Sequence, residues 1–168
     1  GRREAAANVH IGIAWLESIA FDHVKEIGKR VLIIGVGNTA MDCCRSSLRL
    51  GASEVKVMAR KPRQFFKASE WELEDAEAEN VQIVINRAPK HFVVENGRLK
   101  GMTFDVMEYD FDARGQIVAD HHPVVHFVGR HIGLDGGPAV VIRDPKSQSL
   151  RAMGAKDFAE MSQLIRPT

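Results

Sequence analysis

The chain has 168 residues, which is the size of one domain and short for two. Hydrophobic residues make up 45% of it and charged residues 27%, as in ordinary folded proteins, so disorder over most of the length is excluded. The formal net charge of +1 is too small for a nucleic-acid binder that relies on a strong positive field. No apolar run approaches the roughly 20 residues that span a bilayer, so we expect no membrane partner.

The first half of the chain alternates between helical and strand patterns. Helical spacing of apolar residues predicts helices over 8–21, 38–50 and 69–79. A short apolar run without alternation predicts a strand buried on both faces over 30–34, and two further strands are predicted over 54–59 and 81–85. Ser69 and Glu72 match a capping box, which favours a helix start at that point. Buried strands that alternate with helices predict βαβ units and a parallel sheet.

The second half of the chain indicates antiparallel strands. Asn96-Gly97 lies between apolar alternations at 91–94 and 98–104 and predicts a hairpin, and a second turn at 112–115 leads into a strand at 116–119. The predicted fold is therefore α/β, with a Rossmann-like parallel sheet, helices and an antiparallel β-meander. We divide the chain into an N-terminal helix and connector (1–29), a nucleotide-binding domain (30–119) and a divergent C-terminal segment packed on the same domain (120–168).

A glycine-rich turn joins the first buried strand to the second helix. Gly35-x-Gly37-x-x-Ala40 in this context matches a dinucleotide-binding fingerprint. Gly35 permits the tight turn, Gly37 lets a diphosphate approach the backbone, and Ala40 keeps helix and strand close. The amides near Asn38 and Thr39 lie at a helix N-terminus, where an anion is favoured, and their side chains can cap the helix or bind a phosphate. The alternative is a structural turn with no ligand.

Cations follow the second buried strand, where binders of NAD usually carry a carboxylate for the ribose 2′-hydroxyl. The sequence there contains Arg60, Lys61 and Arg63 and no acidic residue. Arginine forms strong charge-assisted hydrogen bonds to phosphate, so these residues favour NADPH over NADH. The alternative is a solvated basic loop.

Other candidate groups have structural interpretations. The adjacent Cys43 and Cys44 are not expected to form a disulfide, which favours a reducing, cytoplasmic setting, and we interpret them as core residues rather than redox groups. The acidic helix 70–79 is interpreted as a solvated face, with contact to a basic partner as the alternative. The histidines have no nearby Cys or Glu to complete a metal site, and we expect no metal at His121, His122, His126 and His131.

The segment 28–61, which includes GVGNTAMDCCRSSLRLGASEV, resembles the NAD(P)H-binding domain of the glutamate synthase small-subunit family. The members of this family are FAD-dependent pyridine-nucleotide oxidoreductases, and the resemblance extends less closely over 8–115. It implies that the glycine-rich turn holds the pyrophosphate and that Arg60 and Lys61 hold the 2′-phosphate. It also implies that NADPH gives hydride to FAD.

The sequence contains one glycine-rich fingerprint, so the FAD-binding half of the family is not expected in this chain. A FAD-binding domain or subunit is the expected partner, and self-association is a further possibility. No catalytic side chain is predicted. Two interpretations stay open at this point: an NADPH-binding module of a flavin-dependent oxidoreductase, studied as a fragment or encoded apart from its partner, and a non-catalytic nucleotide-binding or partner-docking module derived from such an enzyme.

Overall fold

A computed structural model describes residues 8–96, 98–121, 126–127 and 139–143. Its central element is a five-stranded sheet in the order β1-β10-β2-β3-β4, in which all neighbouring strands are parallel. The strands are β1 (Val9–Ile11), β2 (Arg30–Ile34), β3 (Glu54–Met58), β4 (Gln82–Val84) and β10 (Ala139–Arg143). The helices near these strands are α1 (Gly12–Ala20), α2 (Asn38–Arg49) and α3 (Glu70–Ala78). The predicted α/β class with a parallel sheet is confirmed.

Antiparallel strands form two further units. A three-stranded sheet has the order β5-β6-β9, with β5 (Arg87–Glu95), β6 (Arg98–Val106) and β9 (His126–Phe127). The strands β7 (Glu108–Phe111) and β8 (Ile117–His121) pair only with each other in the described part of the chain, and we call them the β7–β8 hairpin. The predicted hairpin turn is confirmed: Asn96 has φ +50°, as the Asn-Gly pattern requires.

The two faces of the parallel sheet are covered by different layers, because successive side chains of a strand point to opposite sides. Ile33 of β2 packs in one core cluster with a residue from each helix, namely Trp15, Met41 and Leu73. The neighbouring Leu32 and Ile34 pack in a second cluster with Phe104 of β6. The sheet therefore lies between the helices on one face and strands β5 and β6 on the other.

Two regions differ from the prediction. The apolar spacing predicts a helix over 8–21, but Val9–Ile11 forms strand β1 and the helix begins at Gly12. The reason is the pairing of β1 with β10, which lies far away in the sequence and leaves no local signal. No element is predicted at Ala139–Arg143, which forms β10 between β1 and β2. Residues 153–165, whose apolar spacing predicts a further helix, lie outside the described residues.

The two cysteines lie in the core on α2, as predicted, and both are free thiols. The Sγ of Cys44 lies 3.1 Å from the carbonyl oxygen of Met41. Burial raises the pKa of Cys44 from its ordinary value of 9.0 to about 12. This favours the interpretation of Cys44 as a packing residue, since the reactive form of cysteine is the thiolate.

We expect Cys44 to resist alkylation by iodoacetamide at pH 8 in the folded chain and to react once urea unfolds it. Mass spectrometry of the alkylated peptide measures this, and rapid labelling of Cys44 in the folded chain would contradict it.

The raised pKa of Cys44 also makes stability depend on pH. As the pH rises, the thiol ionises in the unfolded chain before it ionises in the folded chain. Its contribution to the free energy of unfolding is therefore complete below pH 9 and falls as the pH rises from about 9 toward 12.

Candidate functional site

The glycine-rich turn lies at the carboxyl end of β2, directly before α2. Gly35 has φ +117°, a backbone conformation that other residues rarely adopt. Its N–H donates to the carbonyl oxygen of Met58 at 3.2 Å. Ile34 and Met58 are register partners in the neighbouring strands β2 and β3. The turn is therefore held against the end of β3, at the edge where parallel sheets of this class bind ligands.

The N-terminus of α2 has the features of an anion site in the part of the chain that the structure describes. Gly37 is its N-cap, with extended backbone (φ −98°, ψ 177°) and no side-chain capping hydrogen bond. The amides of Asn38 and Thr39 have no acceptor within the helix, and the first turn carries no acidic residue. Ala40 is fully buried in the core cluster that joins α2 to the sheet. Backbone N–H groups and the helix dipole here favour an anion.

Asn38 has a role that its sequence position does not reveal. The sequence allows its side chain to cap the helix or to bind a phosphate. In the structure its Oδ1 accepts a hydrogen bond from the backbone N–H of Ser69 at 3.3 Å. The amides of Lys67 and Ala68 donate to the carbonyl oxygen of Val36 at 3.2 and 2.9 Å. These bonds fix the start of α3 beside the glycine-rich turn.

The cations after β3 lie in residues 60–67, which we call the basic loop. Arg60 forms an ion pair with Asp120 at 3.1 Å, and its Nε is buried with no hydrogen-bond partner among the described residues. Lys61 is exposed, and its Nζ lies 5.7 Å from the centre of the Phe65 ring. Arg60 and Lys61 follow β3 as Gly35 follows β2, so they lie at the same edge of the sheet as the turn.

Arg63 is engaged elsewhere. Its guanidinium lies 2.7 Å from Glu77 and 2.6 Å from Glu70, two carboxylates of α3. The hydrogen bonds to Glu77 and Glu70 raise the pKa of Arg63. The acidic face of α3 is thus partly paired, where the sequence pattern predicts a solvated one. Because these carboxylates already neutralise Arg63, it is a weaker candidate for phosphate binding than Arg60 or Lys61.

The β7–β8 hairpin supplies site residues that the sequence does not reveal. The hydroxyl of Tyr109 donates to the carbonyl oxygen of Arg60, and Asp120 binds the guanidinium of the same residue. Gln64 donates to the carbonyl oxygen of Gly115 at 3.0 Å. No local pattern signals these contacts, because some fifty residues separate the partners.

Comparison with known proteins decides the family. The sequence model of one family, described as pyridine nucleotide-disulphide oxidoreductase, matches residues 3–130, which is well over half of the chain. The chain belongs to this family.

Several curated members of wider oxidoreductase assemblies are similar in sequence. Over 92 residues the chain is 41% identical to the NADP(+)-dependent formate dehydrogenase subunit beta of Moorella thermoacetica, and this match covers 54% of the chain and 13% of that protein. Over 72 residues it is 43% identical to the putative glutamate synthase [NADPH] small chain of Cereibacter sphaeroides, a match that covers 43% of the chain and 17% of the relative. The Escherichia coli glutamate synthase [NADPH] small chain is 36% identical over 104 residues, which are 58% of the chain and 22% of the relative.

These matches confirm the resemblance to the glutamate synthase small-subunit family. They also show that the chain spans less than a quarter of each of these relatives.

Solved structures confirm the fold. Mycobacterium tuberculosis FprA in complex with NADPH matches 81% of the chain and 44% of its own length, with a TM-score of 0.56 and 14% sequence identity. Thioredoxin reductase of T. acidophilum matches 87% of the chain and 39% of its own length, with a TM-score of 0.50 and 14% identity. At these identities the likeness shows a shared fold and no more.

Within the described ranges, no helix has the length and apolar character needed to cross a bilayer. The same ranges contain no group of three or more His, Cys, Asp or Glu side chains placed to hold a metal ion. His122 and His131, two of the four histidines at which no metal is expected, lie outside the described residues.

Proposed function

We propose that this chain is the NADPH-binding domain of a flavin-dependent oxidoreductase, and that it presents NADPH for hydride transfer to FAD held elsewhere. The observation that carries the proposal is the N-terminus of α2, which has no capping side chain among the described residues, follows a turn with positive φ at Gly35 and lies at the same sheet edge as the cations after β3. This combination provides donors for a diphosphate and positive charge for one further phosphate.

The residues fit the phosphate groups of the nucleotide. Backbone groups of Gly35 and Gly37, with the amides of Asn38 and Thr39, would hold the diphosphate, and buried Ala40 brings α2 close to the sheet. The exposed Lys61 and the partly exposed guanidinium of Arg60 would hold the adenosine 2′-phosphate. Arg63, already paired with α3, would contribute positive field at most. NADPH supplies the hydride when bound, and the chain's own residues orient it.

The remaining parts of the reaction are assigned outside this chain. The curated relatives are several times longer than the matched region, and their names identify two of them as NADPH-linked glutamate synthase chains. We therefore propose that a FAD-binding domain or subunit completes the electron-transfer unit. The side chains that we assign to the site bind and position a nucleotide and perform no proton transfer or nucleophilic attack.

Lys61→Ala tests the proposal at the 2′-phosphate. We expect NADPH to bind about three- to tenfold more weakly and NADH to bind as before, because an exposed cation contributes roughly 1 kcal/mol to a phosphate contact. Lys61 suits this test because no ion pair joins it to any residue that the structure describes, whereas removing Arg60 would leave Asp120 without its cation. Fluorescence titration of both nucleotides measures the effect.

Lys25→Ala provides the matched control. Lys25 is exposed in the segment that precedes β2, at the opposite edge of the sheet from the glycine-rich turn. Its removal changes the net charge equally and should leave both affinities within about twofold, since exposed charges at long range are screened. Equal weakening of NADPH by the two substitutions, or failure of the parent chain to bind either nucleotide, would overturn the proposal.

A further inference from the structure

The β7–β8 hairpin holds Arg60 at two points. Tyr109 and Asp120 are register partners across the hairpin, so their side chains lie on the same face. The Tyr109 hydroxyl donates to the backbone carbonyl of Arg60, while Asp120 accepts from the guanidinium Nη2 at 3.1 Å. The backbone and the side chain of Arg60 are thus fixed by different residues.

The charge of Arg60 is partly neutralised by this arrangement. The side chains of Arg60 and Asp120 are 27% and 46% exposed, so their attraction is only partly screened by water. Because the Arg60 side chain is partly exposed, an anionic ligand would approach the guanidinium from its solvent side while Asp120 stays bound to Nη2. The Nε is buried without a hydrogen-bond partner among the described residues, so it is not the group that such a ligand would reach.

We propose that Asp120 is a specificity-determining residue that limits the preference of this chain for a nucleotide with a 2′-phosphate. The inference rests on the proposed function, because it assigns Arg60 to the adenosine end of NADPH. A carboxylate 3.1 Å from the guanidinium repels a phosphate bound to that same guanidinium. NADH carries a neutral hydroxyl at this position and feels little of this repulsion.

Tyr109 makes the contribution of Asp120 separable from the position of Arg60. Its hydroxyl binds the Arg60 backbone without using Asp120. Partial burial raises the pKa of Tyr109, so the hydroxyl keeps its proton at neutral pH. Neutralising Asp120 should therefore remove a negative charge from the site and leave the Arg60 backbone in place.

The test compares Asp120→Asn with Glu108→Gln in the 168-residue chain. Asparagine retains an oxygen that accepts from Arg60, so the substitution removes the charge alone. Glu108 is exposed and precedes Tyr109 on β7, so its side chain points to the opposite face of the hairpin from Tyr109 and Asp120. Its substitution by glutamine makes the same change in net charge as Asp120→Asn. The ligands are NADPH, NADH and the shorter probes adenosine 2′,5′-bisphosphate and AMP, each titrated into the free chain.

We expect Asp120→Asn to bind NADPH and adenosine 2′,5′-bisphosphate about three- to tenfold more tightly than the parent, with NADH and AMP unchanged within about twofold. Glu108→Gln should match the parent for all four ligands. Asp120→Ala, which removes the side-chain oxygens as well, is the second variant, and thermal unfolding checks that each variant folds.

The outcomes separate the inference from the function on which it rests. If the parent chain binds none of the four ligands, both fail. If the parent prefers NADPH but Asp120→Asn and Asp120→Ala bind it no more tightly than Glu108→Gln does, the inference fails and the proposed function stands. Weaker NADPH binding by Asp120→Asn also overturns the inference, since it would mean that the carboxylate mainly orients Arg60.

Discussion

Replacing Gly37 by alanine should weaken the binding of NADPH and NADH equally, by about ten- to hundredfold, because the added Cβ would occupy the approach of the diphosphate to the α2 amides. The free energy of unfolding should change little. Gly37 has φ −98° and ψ 177°, an extended conformation that alanine adopts without strain. The substitution therefore acts on the ligand and leaves the turn intact.

Nucleotide titration and urea unfolding of the same preparation measure the two quantities. The proposed diphosphate site requires equal losses for NADPH and NADH, since both nucleotides carry the same diphosphate. A loss confined to NADPH would place Gly37 near the 2′-phosphate, and unchanged binding of both would remove the turn from the site.

Replacing Gly35 by alanine should instead destabilise the fold, by about 1–3 kcal/mol, because its φ of +117° strains a residue with a side chain. The backbone around Gly35 cannot relax freely, since its N–H is bonded to the carbonyl oxygen of Met58. The urea midpoint of unfolding measures the loss, and Gly37→Ala provides the control. The same methyl group is then added at two positions separated by one residue.

Similar stabilities for the two glycine variants would contradict this prediction. It would mean that the backbone at Gly35 adopts a conformation open to alanine. The expected division, with stability lost at Gly35 and affinity lost at Gly37, gives each glycine of the fingerprint a separate measurable property.

Local sequence signals predicted the part of the fold that surrounds the turn. Strand β2, helix α2 and strand β3 lie where the apolar patterns place them, because a buried strand and an amphipathic helix each leave a pattern within a few residues. The hairpin at Asn96 is equally local, since its turn needs residues that tolerate positive φ. The order of the remaining strands leaves no such pattern.

The candidate site could be predicted only in part, for a related reason. The sequence shows that Arg60, Lys61 and Arg63 are cations, but it does not show which carboxylates they meet. Asp120 lies sixty residues from Arg60, and Glu77 lies fourteen from Arg63. Because of these partners, Arg60, Lys61 and Arg63 differ in how much of their positive charge is left for a phosphate, and composition and spacing do not reveal this difference. Whether the assigned residues bind NADPH stays a prediction that the titrations test.

The position of β10 has a consequence for how the protein is made. Strands β1 and β2 leave the ribosome before β10, yet they do not pair with each other in the finished sheet, because β10 lies between them. Until residues 139–143 are synthesised, the nascent chain carries two unmatched strand edges on either side of a gap one strand wide. Closing that gap joins distant parts of the chain, a slow kind of step. The glycine-rich turn after β2 therefore gains the support of the complete sheet only once β10 has been made.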